Sequence, residues 1–211
     1  MQFIQDGQVV GLGTGSTAAY FIKLLAERVR DGLRIRGIPT SMRSQQLALG
    51  LGIPLTTLEE CQEIAVTVDG ADEVDPKLRL IKGGGGALLR EKIVASATKQ
   101  LVIVADASKQ VPVLGKFPLP VEVIPFAQAL VAKRIAALGA DVRLRTEADG
   151  KPFVTDEHHH ILDCRFGAIP DAERLARQLS DMPGVVEHGL FIGMASVALF
   201  AKGSEIVEWR R

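Results

Sequence analysis

The 211 residues, 47% hydrophobic and 24% charged, can bury a full core in one large domain or two small ones. Lysine plus arginine equals aspartate plus glutamate, 25 each, which excludes both the basic surplus of a nucleic-acid binder and the acidic surplus of a solvating tail. No apolar run is long enough to span a bilayer, residues 1–6 lack the basic and apolar regions of a signal peptide, and Cys61 and Cys164 form no CxxC; a reduced, cytoplasmic protein is expected.

Residues 8–12 read as a short strand running into Gly11-Leu12-Gly13-Thr14-Gly15-Ser16-Thr17. A helix over 18–30 follows, with Ala18, Phe21, Ile22, Leu25 and Val29 as its apolar stripe and Asp31-Gly32 as its stop. Such a unit places backbone amides and the Thr14, Ser16 and Thr17 hydroxyls at a helix N-terminus, where phosphate oxygens bind well. A dinucleotide fingerprint would need a third glycine where Ser16 stands and an acid after the next strand, 33–38; a Walker lysine is missing too. Hydroxyls with amides suit a small phosphoester.

Residues 44–51 predict a helix, and the apolar run 64–68 a buried strand ending in Asp69-Gly70-Ala71-Asp72-Glu73. In open parallel sheets ligands bind outside the carboxyl ends of strands, where these acids fall. The competing reading is a polar turn in which Asp69 or Asp72 caps the next segment.

A short strand at 78–81 leads into Lys82-Gly83-Gly84-Gly85-Gly86-Ala87-Leu88-Leu89-Arg90-Glu91-Lys92. Four glycines let backbone N–H groups curl around an anion, and the helix expected over 87–97 adds the partial positive charge of its N-terminus. Leu89, Ile93 and Ala97 recur at helical spacing and are expected to face the core, with Glu91, one turn in, held near the ligand. A surface loop before a solvated Arg-Glu-Lys face would use the same residues; the apolar flanks argue against a linker. The buried strand 101–105 ends in Asp106-Ala107-Ser108-Lys109, where Lys109 is a site residue or a solvated loop lysine. Three such turns carrying hydroxyls, carboxylates and lysines describe a doubly wound α/β sheet with a crevice.

Three prolines between 112 and 120 mark a boundary. Beyond it come a strand (121–124), a helix (126–138), a strand (141–146), the turn Asp149-Gly150, further strand at Phe153 and 161–164, a helix (171–179) and a strand (185–191). That β-α-β-β-α-β order is a ferredoxin-like unit. Residues 195–201 and 206–209, separated by Lys202-Gly203-Ser204, read as a hairpin returning to the first sheet, which makes the second domain an insertion. His158-His159-His160 read as a polar hairpin end, not a metal site, since adjacent strand residues point to opposite faces and no Cys or carboxylate sits at zinc spacing.

Taken together, the motifs at 11–17, 69–73, 82–92 and Ala105-Asp106-Ala107-Ser108-Lys109-Gln110, extended by Gly115-Lys116-Phe117-Pro118-Leu119-Pro120-Val121-Glu122-Val123, resemble ribose-5-phosphate isomerase, type A, over nearly the whole chain. The resemblance implies interconversion of D-ribose 5-phosphate and D-ribulose 5-phosphate in the pentose phosphate pathway, without metal or organic cofactor. It implies a Rossmann-like open parallel sheet with helices on both faces (1–118 and 192–211), an inserted ferredoxin-like lid or oligomerisation domain (119–191), and a homodimer or homotetramer whose only small-molecule partner is a sugar phosphate. It places the catalytic base on Glu91 and substrate contacts on Thr14, Gly15, Ser16, Thr17, Asp69, Gly70, Ala71, Asp72, Lys82, Gly83, Gly84, Gly85 and Lys109.

For that reaction Glu91 would carry the proton between C2 and C1, Lys82 and the glycine amides would stabilise an enediolate, and Asp69 and Asp72 would bind hydroxyls and assist ring opening. The chain departs from the family pattern in starting almost at the first strand, in having Gly86 where alanine is common, and in its histidine run. Two other classes use parts of the same motif set. A sugar-phosphate sensor would need the cradle but not Glu91, and an acyl or coenzyme A transferase would use Glu91 as a nucleophile.

Overall fold

The computed structural model describes all residues, Met1–Arg211. The chain divides into two compact units: Met1–Gly70, Arg90–Ala107 and Met194–Arg211 form one, Ala71–Leu89 and Ser108–Gly193 the other.

The first unit opens with β1 (Val9–Leu12), α1 (Ser16–Arg30), β2 (Arg36–Pro39), α2 (Met42–Gly50) and β3 (Ile64–Asp69). All four residues of β1 are buried, as expected of a parallel strand covered on both faces. Helix α1 buries Ala18, Phe21, Ile22, Leu25 and Ala26, so its apolar stripe faces the core as the spacing predicts. Strands β4 (Glu73–Val74) and β5 (Leu80–Ile81) belong to the second unit. Helix α3 (Leu88–Ser96) then carries the chain back into the first, where β6 (Thr98–Asp106) follows.

In the second unit come β7 (Leu119–Val123), α4 (Gln128–Ala137), β8 (Asp141–Leu144), β9 (His160–Arg165), α5 (Ala172–Ser180), β10 (Val185–His188) and β11 (Leu190–Phe191). The first unit closes with β12 (Ala195–Lys202) and β13 (Glu205–Arg210).

The first unit's sheet has the order β13-β12-β6-β3-β1-β2, parallel throughout except for the β12–β13 hairpin. From β1 the chain goes to β2 on one side and then to β3 on the other. The order therefore reverses between β1 and β3, and a crevice opens at their carboxyl ends. Val10, Leu12, Val66, Val68 and Val102 fill one core layer with Phe21, Ile22 and Leu25.

In the second unit β7, α4, β8, β9, α5 and β10 form the expected β-α-β-β-α-β run, antiparallel in the order β10-β7-β9-β8. Its core packs Val121 and Val123 against Val131, Ile135, Leu175 and Leu179. A three-stranded sheet, β11-β5-β4, stands apart.

Several elements differ from expectation. The strand expected over 185–191 is two strands in two sheets, because the chain turns at Gly189, where a Cβ would lie 2.3 Å from the Lys82 carbonyl oxygen. The strand expected at 78–81 is shorter, and its partner β4 escapes the pattern because two residues show no periodicity. Around Phe153 only isolated bridges form, Thr146 with Pro152 and Val154 with His160.

The stripe expected on α3 is also displaced. Ile93 is 44% exposed, while Leu88, Glu91, Val94 and Ala95 are buried. Counting apolar residues misses this face, because one of its members is a carboxylate.

Candidate active site

In the first unit, the turn after β1 holds the expected phosphate-binding residues. Gly15, with φ 105°, precedes α1, and Gly15, Ser16 and Thr17 are exposed at its N-terminus. Fifteen residues of aligned peptide dipoles put partial positive charge there. Thr14 has a different place. Its hydroxyl donates to Ser41 Oγ at 2.8 Å and lies 2.8 Å from Thr40 Oγ1 and 3.2 Å from Ser44 Oγ, and Ser44 Oγ in turn donates to the Gly13 carbonyl at 2.6 Å. Thr14 thus ties the phosphate turn to the start of α2.

Asp69, 1% exposed, ends β3 beside this turn. Its Oδ1 accepts the N–H of Thr14 at 2.9 Å and of Gly70 at 2.7 Å. The approach depends on Gly13, where a Cβ would lie 2.3 Å from that oxygen. The structure brings Thr14, Gly15, Ser16, Thr17, Asp69 and Gly70 together at the sheet's reversal point.

Glu91 occupies the first turn of α3 and is 5% exposed. Burying a carboxylate is costly unless it is paired or hydrogen-bonded, and burial marks Glu91 out from the half-buried Arg90 and Lys92 beside it. The bland reading, a solvated Arg-Glu-Lys face, does not hold for Glu91.

In the second unit, Asp72 and the glycine turn meet. Asp72 Oδ2 accepts the Gly84 N–H at 2.7 Å, and a Cβ on Gly84 would stand 2.5 Å from Oδ1. The turn is closed by the Gly86 N–H donating to the Gly83 carbonyl at 3.0 Å. Gly86 itself has φ 82°, and a Cβ there would meet the Phe153 ring at 2.3 Å, so both the backbone and the packing call for glycine at this position. Lys82, 3% exposed, is anchored through its N–H to the Gly189 carbonyl at 2.9 Å, and its Nζ lies 5.5 Å from the centroid of Phe191. Lys109 is half-buried at the end of a 3-10 turn after β6.

Three residues have supporting roles; Glu73 belongs to the acidic motif, while Arg145 and Asp163 have no signal in the sequence. Glu73, buried, accepts the N–H of Gly115 at 2.6 Å and of Phe117 at 2.5 Å, joining the acidic motif to the Gly115-Lys116-Phe117 motif. Arg145 donates to the carbonyls of Gly83 and Gly84, and Asp163 holds Arg145. The histidine run is divided: His159 Nδ1 lies 3.1 Å from Glu122 Oε1, and His160 Nδ1 lies 2.6 Å from Gln128 Oε1.

The sequence profile of the family described as Ribose 5-phosphate isomerase A (phosphoriboisomerase A) matches residues 36–205. Ribose-5-phosphate isomerase A of Parvibaculum lavamentivorans is 53% identical over 99% of this chain and 94% of its own length. The protein of the same name from Sinorhizobium fredii is 56% identical over 94% of this chain and 88% of its own. Among solved structures, ribose 5-phosphate isomerase A of Methanocaldococcus jannaschii superposes with a TM-score of 0.95 at 41% identity, covering 100% of this chain and 94% of that one. A D-ribose-5-phosphate isomerase in complex with phospho-erythronic acid gives 0.97 at 39% identity, covering 100% and 93%. With a buried glutamate following a glycine turn and matches along nearly its whole length, the chain belongs to the ribose-5-phosphate isomerase A family.

Proposed function

We infer that this chain interconverts D-ribose 5-phosphate and D-ribulose 5-phosphate, with Glu91 as the base. The observation that carries the role is the Glu91 carboxylate on the buried stripe of α3, one turn after the glycine turn. Family membership supports the reaction, and the phospho-erythronic acid bound by a structural neighbour supports a phosphorylated sugar acid or sugar as ligand.

Moving the carbonyl from C1 to C2 requires one proton to move from C2 to C1 and another from the C2 oxygen to the C1 oxygen, through an enediolate. The carbon acid is weak, so the reaction needs a base over the carbon and donors at the oxygen where charge develops. Glu91 takes the C2 proton and returns it at C1. Lys82 and the N–H groups of Gly83 and Gly85 stabilise the enediolate oxygens, while the Gly84 N–H orients Asp72. Gly15, Ser16 and Thr17 hold the phosphate at the start of α1, with Thr14 bracing that turn and Lys109 adding positive charge; fixing the phosphate fixes C2 against the base. Asp69, Gly70, Ala71 and Asp72 bind the sugar hydroxyls, the two carboxylates passing protons as the furanose opens.

The same reading assigns the enzyme to the cytoplasm, as a homodimer or homotetramer, with residues 119–191 as lid and oligomerisation domain. Phe126, fully exposed, with Ile124 and Leu130 exposed beside it in sequence, supports self-association.

The test is ribulose 5-phosphate formation with EDTA present, comparing the wild type with Glu91→Gln. The variant is expected to keep less than about a tenth of the wild-type kcat, a loss above ~1.4 kcal/mol of transition-state stabilisation. Equal rates would remove Glu91 from the base's role. Binding of ribose 5-phosphate without turnover by the wild type would turn the reading toward a sensor.

A further inference from the structure

We propose that Arg145, held by Asp163, is a positioning residue for the isomerisation, setting the direction in which the glycine turn's amides point. The proposal rests on the reading above, in which the Gly85 N–H faces the enediolate and the Gly84 N–H holds Asp72.

Four glycines in a row have almost no preferred backbone conformation, so their usefulness as donors depends on something outside the turn. Arg145 supplies it. Its Nη1 donates to the Gly83 carbonyl at 2.9 Å and to the Gly84 carbonyl at 3.2 Å. In a trans peptide the C=O and the following N–H point in opposite directions. Drawing both carbonyls to Arg145 therefore turns the N–H groups of Gly84 and Gly85 to the opposite side. The Gly84 N–H does reach away from Arg145, to Asp72 Oδ2 at 2.7 Å.

The clamp is itself rigid. Arg145 Nε donates to Asp163 Oδ2 at 3.0 Å and Nη2 to Oδ1 at 2.5 Å, a fork that fixes the guanidinium plane. The Arg145 side chain is 14% exposed, and its guanidinium lies 5.8 Å from the centroid of Phe153, the ring that fills the space beside Gly86. Its backbone is pinned on both sides, the N–H to the Ile161 carbonyl at 2.8 Å and the carbonyl to the Phe153 N–H at 2.9 Å. Asp163 sits on β9 opposite Arg143 of β8, so the pair reaches diagonally across the hairpin. A lysine could reach one carbonyl but could not make the fork as well.

The experiment is steady-state isomerisation by the wild type, Arg145→Ala and Arg145→Lys, with and without millimolar guanidinium chloride and with sodium chloride as control. Arg145→Ala is expected to lose about 30-fold or more in kcat, the scale of an oxyanion donor turned away, with KM changed by less than about threefold. Guanidinium, filling the space beside Asp163, restores part of that kcat and sodium does not; a merely structural role would lower the folded fraction and show no such rescue. Arg145→Lys falls between the two and decides the matter if Arg145→Ala does not fold. A wild type that isomerises beside variants with undiminished kcat, or with only KM raised, overturns the clamp and leaves the isomerase reading intact. A wild type that does not isomerise overturns both.

Discussion

Asp69 and Asp72 are held by one device used twice: a main-chain N–H donates to the carboxylate, and a glycine leaves room for the oxygen. Glu122 shows the opposite treatment. It is buried on β7, where Oε1 accepts from Thr155 at 2.9 Å and meets His159, while Oε2 has no hydrogen-bond partner. Burial pushes its carboxyl above the usual range; the bonds from Thr155 and His159 pull the other way, and the charge of Glu157 adds to the rise. The fold therefore favours protonated Glu122. The stability this contributes is fully present below the ordinary carboxylate pKa and is lost as pH rises through the raised value. Thermal melts between about pH 4 and pH 7 should show Tm falling through that window, less steeply in Glu122→Gln. An identical slope in both proteins would contradict the assignment.

At this scale the sequence revealed the groups that carry chemistry and hid those that hold them. Glu91 stood out by its place after the glycines, yet its burial contradicts the apolar stripe that sequence spacing selects. Arg145 and Glu73 act on backbone groups of distant segments and Asp163 acts on Arg145, so no local pattern reveals these roles.

Among the elements, α2 is the one whose capping bears on the site. Ser41 Oγ accepts the Ser44 N–H at 3.0 Å and also receives the Thr14 hydroxyl. Ser41→Ala is expected to cost about 1 kcal/mol in urea unfolding and to raise KM for ribose 5-phosphate by loosening the Thr14 turn, with little change in kcat. An unchanged KM would mean that the turn stands without its cap. Long apolar runs such as 64–68 and 101–105 were legible because buried parallel strands need apolar side chains on both faces. β4 was not, and β11 was legible only as the end of a longer strand, since two-residue strands are created by their partners. The helix expected from 126 begins with a 3-10 turn, Pro125–Ala127, because Pro125 starts a turn well and cannot donate within it.

For the whole molecule, the α/β class and the β-α-β-β-α-β run followed from the order of patterns, and the interleaving of the two units did not. The glycine turn joins the second unit through pairings of β5 with β4 and β11, and β11 lies more than a hundred residues further along the chain. Phe126 gives a prediction at this scale. Light scattering on wild type and Phe126→Arg should show a dimer or tetramer dissociating toward monomer in the variant. The same assembly in both would place the interface elsewhere.

The central position of β12, between β6 and β13, sets a schedule for the chain's synthesis. A ribosome delivers β1, β2, β3 and β6 first, and the outer edge of β6 stays unpaired until residues 195–201 emerge. Over that interval the nascent chain therefore carries an open parallel edge of apolar residues, Leu101 to Ala105, the kind of surface that recruits strands from neighbouring chains. Ser108–Gly193 of the second unit are delivered within that interval. The edge is closed only when β12 arrives, so aggregation of the growing chain depends on how quickly residues 195–201 follow β6.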